Sequence, residues 1–172
     1  FFAVAIQSDG KIVAAGVANQ SLAIVRFNTN GSLDTSFNST GKLVTSFGGS
    51  ENAVFGLTIQ PDGKIIAAGT TLNASYDFAV LRCLPNGALD PSFNGTGKVV
   101  TDFSNYDLAY SIELQSDGKI ILAGTANYLA DSSMALARYN PDGILDTSFN
   151  GSGKVTTNHT TGADGANGVA LQ

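Results

Sequence analysis

The sequence predicts an all-β chain, a β-propeller-like array of four-stranded antiparallel blades, with three blades plus one extra strand. Three observations predict it. An apolar run, an Asp-Gly turn and a second apolar run recur at 6–16, 59–69 and 114–124. Asp-Gly between such runs is a strong hairpin signal, because Gly takes the positive φ of a tight turn. Second, Arg26, Arg82 and Arg138 are spaced 56 residues apart, as are Asp34, Asp90 and Asp146. A repeat of that length is the mark of a blade array. Third, the runs Ile65-Ile66-Ala67-Ala68 and Phe78-Ala79-Val80-Leu81 are apolar at consecutive positions. Strands of that kind are covered on both faces, and these runs are too short to read as helices.

The middle copy shows the four strands of a unit in order. The first spans 54–60 and the second 64–70, joined by Asp62-Gly63. The third spans 77–84 and the fourth 98–103. Each has the usual strand length of about 5–8 residues. Between the last two lies 85–97, rich in turn residues around one Leu and one Phe. Sheets packed on both faces and repeated along a chain suit a propeller or a stacked solenoid, and four strands per repeat favour the propeller.

The whole chain, 1–172, reads as one repeat array with units of approximately 1–52, 53–107 and 108–165. Residues 166–172 open a fourth, since Val169-Ala170-Leu171-Gln172 echoes Val4-Ala5-Ile6-Gln7. Three blades fall short of the usual minimum of about four for a closed ring. The expectation is therefore a cut from a longer array, with self-association or end-to-end stacking as alternatives.

Charged residues make up only 13% of the chain, and the formal charge is −5. The nine Lys and Arg form no basic stripe, which argues against a nucleic-acid partner. No apolar run approaches 18 residues, so no membrane span is expected. Neither a basic n-region nor a signal peptide is recognisable. The single cysteine, Cys83, excludes an intramolecular disulfide and reads as a small buried hydrophobe. Low charge and abundant Ser, Thr and Asn point to an extracellular or cell-surface location.

The motif Gln60-Pro61-Asp62-Gly63-Lys64-Ile65, then Arg82, then Asn86-Gly87-Ala88-Leu89-Asp90-Pro91-Ser92-Phe93-Asn94, occurs with two echoes. It resembles the delta-60 repeat of bacterial proteins, a propeller-like family. The third copy departs from it with Asp142 before Gly143. The resemblance covers nearly the whole chain. It implies a large, multi-repeat surface or secreted protein, and carries over no catalytic residues.

The repeated polar and aromatic positions are expected to be structural. Asp9-Gly10, Asp62-Gly63 and Asp117-Gly118 form turns in which the Asp side chain bonds its own backbone. Arg26, Arg82 and Arg138 are expected to grip Asp34, Asp90 and Asp146 in a bidentate pair, eight residues on. Phe37, Phe93 and Phe149 are core plugs in preference to sugar-stacking platforms. The loops 28–34 and 140–146 faintly echo a calcium loop without its final Glu, leaving calcium as a weak possibility and no other cofactor. His159 has no ligand cluster around it. Asn38, Asn73, Asn94 and Asn150 head Asn-x-Ser/Thr triplets that read as turn vocabulary.

The function expected is a non-enzymatic extracellular scaffold or binding module, part of a larger surface protein or assembly. Its partners would be further repeats of the same or identical chains, and a protein or glycan ligand. Contact surfaces are expected in the loops 17–21, 71–77 and 126–133, and in the joins 48–52, 104–107 and 158–167. Two rivals are a carbohydrate-active enzyme using Glu51, Asp107 or Glu113 as its carboxylate pair, and a polymer subunit that completes its sheets by strand complementation.

Overall fold

The computed structural model describes residues 2–129, 131–159 and 162–171. Phe1 and Gln172 of the expected end strands, and Ala130, Thr160 and Thr161 of the expected loops, lie outside them. Twelve strands form three separate four-stranded antiparallel sheets, each a meander in chain order. The first holds β1 (Ala3–Ile6), β2 (Ile12–Ala18), β3 (Ser21–Phe27) and β4 (Lys42–Thr45). The second holds β5 (Glu51–Ile59), β6 (Ile65–Leu72), β7 (Tyr76–Cys83) and β8 (Lys98–Thr101). The third holds β9 (Leu108–Leu114), β10 (Ile120–Ala126), β11 (Ser133–Tyr139) and β12 (Lys154–Thr157). Among the described residues, no helix is long and apolar enough to cross a membrane.

Two of the differences between the expected and the observed strand boundaries have a local reason. β5 starts three residues early, because Glu51, Asn52 and Ala53 pair with Leu72, Thr71 and Thr70 beyond a bulge between Val54 and Gly56. A bulge inserts one unpaired residue and bends the strand. Opposite that bulge Gly69 is required by space, since a Cβ there would overlap the carbonyl of Ala53. β8 stops at Thr101, because the next backbone N–H to bond a carboxylate, Phe103, turns away to Asp107.

The middle sheet explains the unbroken apolar runs. Ile65 and Ala67 of β6, with Leu81 and Cys83 of β7, join one core with Val13, Ala15, Leu22 and Ile24 of the first sheet. Their sequence neighbours Ile66, Ala68, Phe78 and Val80 join a second core with Ile112, Ile120, Leu122 and Tyr139 of the third. Successive strand side chains point to opposite faces, so a run buried everywhere needs a neighbour on each side. The end sheets show the complement. β1 alternates between half-buried and exposed, and β12 passes from half-buried in its first two residues to exposed in its last two. β11 alternates between buried and half-buried where β7 is buried almost throughout.

The first strands lie side by side. β5 packs against β1 and β2 of the preceding sheet, and β9 against β5 and β6. Of the extra segment expected at 166–172, the described residues 166–171 lie along the same track. Ala166 N–H donates to the Gly124 carbonyl at 3.1 Å, and Val169 N–H to Ser111 Oγ at 3.4 Å. It carries no ladder, since each of β1, β5 and β9 takes its ladder from the second strand of its own unit.

Candidate functional site

The repeated residues are built into a lock within each unit. At the hairpin, Gly10, Gly63 and Gly118 all have φ of +82°, and the preceding Asp accepts the N–H of Lys11, Lys64 or Lys119. Those lysines then reach Asp34, Asp90 and Asp146 at 3.2, 3.4 and 3.3 Å. The same acids accept Nε of Arg26, Arg82 and Arg138 at 2.8, 2.7 and 2.8 Å. The bidentate pairing expected for these arginines is not what forms. Only Nε meets the carboxylate, because its other oxygen already accepts the N–H and hydroxyl of Ser36, Ser92 or Ser148. Nη2 turns to that serine oxygen. Each guanidinium lies over Phe37, Phe93 or Phe149, 4.5–4.8 Å from the ring centre. Phe37 and Phe93 are fully buried, as core plugs should be, while Phe149 is half-buried.

This lock depresses the acids. The Ser36 hydroxyl, opposed by burial and helped by Lys11 and Arg26, holds Asp34 well below the usual carboxylate range. At Asp90 burial pushes upward, but Ser92, Arg82 and Lys64 outweigh it and bring the carboxyl to about 2. The Ser148 hydroxyl does the same for Asp146, also to about 2. Asp34 and Asp146, which close the loops considered for calcium, thus face cations of the protein itself. Cys83 is buried in the core, which pushes its thiol up to about 12.

The remaining guanidinium nitrogen joins one unit to the next. Arg26 Nη1 donates to the Pro85 carbonyl at 2.6 Å, and Arg82 Nη1 to that of Pro141. Beside these bonds, Asn38 N–H donates to the Asn86 carbonyl and Asn94 N–H to that of Asp142, at 2.6 and 2.7 Å. Gly87 and Gly143 let the incoming loop press on Phe37 and Phe93, where a Cβ would sit 2.9 Å from the ring. Lysines return the contact, Lys98 Nζ to the Ser46 carbonyl and Lys154 Nζ to that of Asp102. Asn38, Asn94 and Asn150 bond the Lys42, Lys98 and Lys154 carbonyls through their amides, in keeping with turn residues.

A second set of joining residues escapes a reading of the sequence. Asn52, Asp107 and Asp164 precede or open the next first strand. Each donates its N–H back to the preceding unit, at Gln20, Tyr76 and Ser132, over 2.9, 2.6 and 3.1 Å. Each side chain accepts the N–H of Phe47, Phe103 or His159. Their residue type changes and their spacing varies, so only an acceptor six or seven residues after the end of each fourth strand signals them.

The expected contact loops surround a cleft of about 510 Å³ at one end of the sheets. Val17 and Gln20 come from the first unit, Glu51, Phe55 and Tyr76 from the second, and Tyr106, Leu108 and Tyr128 from the third. The Tyr76 hydroxyl donates to Glu51 at 2.5 Å, and the Tyr76 and Tyr106 rings lie 5.8 Å apart, tilted by 50°. The tyrosines of this cleft do not repeat, which hides them from a periodicity argument, whereas Phe55 stands at the place of Phe2 and Tyr110 in the other units. Nearby, carboxylate oxygens of Asp77, Asp102 and Asp107 lie within 4.8 Å of one another, the one such group among the described residues. Burial raises the carboxyls of Asp77 and Asp107. Asp107 already accepts two backbone N–H groups and Asp77 the Asn73 amide. Of the carboxylates weighed for sugar chemistry, Glu113 pairs with Ile121, five strand steps from Leu108. At about 3.3 Å per residue that is roughly 17 Å from the end bearing Asp107, beyond the roughly 5–10 Å such chemistry uses.

Stacked four-stranded meanders, each clasped to the next through repeated side chains, define the blade architecture of a propeller repeat protein. The chain belongs to the family described as "Domain of unknown function (DUF5122) beta-propeller", whose model matches residues 7–37, 60–93 and 115–149. These three stretches each run from the hairpin Gln to the Phe of the lock. No curated protein matches the chain.

Proposed function

We propose that the chain is a non-enzymatic scaffold and binding module, a run of blades that continues through further like units of the same or identical chains. The observation that carries this reading is the clasp between units, which is complementary at the two end sheets. At the third, Arg138 keeps its Asp146 and Ser148 bonds, but among the described residues no carbonyl meets its Nη1. Its side chain is 19% exposed, against 7% and 5% for Arg26 and Arg82. At the first, Gly31 stands where Gly87 and Gly143 press on a ring, and nothing lies within 4 Å of its Cβ position. Val4, Ile6 and Val44 of that sheet are 55–72% exposed. An array that ends in matching donors and acceptors, each backed by apolar surface, is suited to extension.

A non-enzymatic role accords with the use of the repeated carboxylates, which are committed to Arg and Lys of the same unit. The finer identification as a delta-60 repeat protein of a bacterial surface rests on the motif resemblance, and an extracellular location on the composition. Sizing by light scattering tests the reading. Association of the 172-residue chain that Arg138→Ala weakens supports it. A strictly monomeric, folded chain at high concentration counts against it.

A further inference from the structure

The cleft among the contact loops combines three properties that restrict what it accepts. It is walled by aromatic rings, Phe55, Tyr76, Tyr106 and Tyr128, with Leu108 beside them. Tyr128 is 52% exposed, so its ring is open to a ligand. The Tyr76 and Tyr106 rings meet at 50° and form a wedge instead of a flat stack. Among the described residues the only charged one in the wall is Glu51, whose carboxylate accepts the Tyr76 hydroxyl. Of the other polar wall groups Asn52 and Thr70 are spent, while the Gln20 amide and the Tyr106 and Tyr128 hydroxyls remain available among the described residues. Asn52 uses its amide on Gln20, Ser46 and Gly49, and its oxygen on Phe47 and Thr71. Thr70 Oγ1 accepts Ala109 N–H.

A ligand with many hydroxyls would have to share the Gln20 amide, the Tyr106 and Tyr128 hydroxyls and Glu51, and burying those left unpaired is costly. An anion meets Glu51. A cation with N–H donors would have to place each of them on Glu51, the Gln20 side-chain carbonyl or a tyrosine oxygen. A quaternary ammonium group needs no acceptor. Its charge is balanced by Glu51, and its methyl groups rest on aromatic faces, to which a cation is drawn by the ring quadrupole. We propose that this cleft binds a small quaternary ammonium compound, held between the aromatic rings and the Glu51 carboxylate. The site goes beyond the scaffold reading, and its test does not depend on chain association. At about 510 Å³ the cleft has room for a substituent beyond the trimethylammonium group itself.

Isothermal titration of the full chain with choline tests this, beside its uncharged isostere 3,3-dimethylbutan-1-ol and methyl glucoside. Choline is expected to bind saturably, and the isostere roughly tenfold or more weakly. Glu51→Gln and Tyr128→Ala, both at solvent-exposed positions, are each expected to weaken choline several-fold without moving the melting temperature. No saturable choline binding in the low-millimolar range overturns the proposal. So does equal binding of the isostere or the glucoside, or choline binding that neither substitution changes.

Discussion

Arg82 donates from Nη1 to the backbone carbonyl of Pro141, one sheet further along the array, while its Nε holds Asp90 in its own sheet. One side chain therefore closes a unit and attaches it to its neighbour. Arg26 does the same toward Pro85. Arg138 has the inner bond without the outer one among the described residues. Replacing Arg82 by Ala leaves Asp90 buried without its guanidinium and the Pro141 carbonyl without its donor. The expected cost is about 3–5 kcal/mol, against about 1–2 kcal/mol for Arg138→Ala. Urea unfolding of the two variants compares them, and equal losses would deny the clasp its role between units.

Ile65 and Ile66 are adjacent and both fully buried, yet they belong to different cores. Truncating either to Ala is expected to cost about 2–5 kcal/mol. A sheet with one wet face would tolerate one of the two. Denaturant midpoints of the single variants decide this, and a near-neutral result at either residue would mean that the middle sheet is not covered on both sides.

Acid should loosen the locks. Asp34, Asp90 and Asp146 have carboxyls held below their ordinary value of 3.8 in the folded chain. A depressed folded-state pKa stabilises the fold above the unfolded-state value, and that contribution is lost as pH falls. For these groups the loss runs from about pH 4 down to about pH 2. Asp77 and Asp107 are raised by burial and act in the opposite sense, favouring the fold as they protonate. With three acids depressed against two raised, stability is expected to drop below pH 4. Replacing Ser36, Ser92 and Ser148 together by Ala removes the hydroxyls that favour the ionised lock acids, so the drop should become shallower. A variant as acid-sensitive as the parent would contradict this assignment.

Gly69 faces the bulge of β5 with no space for a side chain. Gly69→Ala forces β5 away from β6 and is expected to cost about 1–3 kcal/mol, as overpacking does. Gly95→Ala, at a left-handed turn with open space around it, should cost about 1 kcal/mol from φ alone. Thermal unfolding compares the two, and a milder effect at Gly69 would mean that the bulge relaxes freely.

Much of the fold is legible in the sequence because it repeats. The Asp-Gly turns, the Arg–Asp spacing and the runs at 65–68 and 78–81 each state a local rule three times or twice over. Their structural roles follow from chemistry alone. The guanidinium's division of labour is not legible, because Pro85 and Pro141 contribute backbone carbonyls, and a carbonyl has no residue type. Asn52, Asp107 and Asp164 are hidden by exchange of Asn for Asp in a loop of changing length. The cleft is hidden for the opposite reason. Tyr76, Tyr106 and Tyr128 are conspicuous residues but occupy non-equivalent places, and only the packing of three units brings them together.

The central claim is that a unit is stable only between its neighbours, since the middle sheet divides its apolar residues between two cores. The most direct measurement is circular dichroism and urea unfolding of residues 50–107 alone, set beside the 172-residue chain. The account predicts that the isolated unit has no cooperative transition while the whole chain unfolds cooperatively. A lone unit that unfolds cooperatively, with stability close to that of the whole chain, would contradict it.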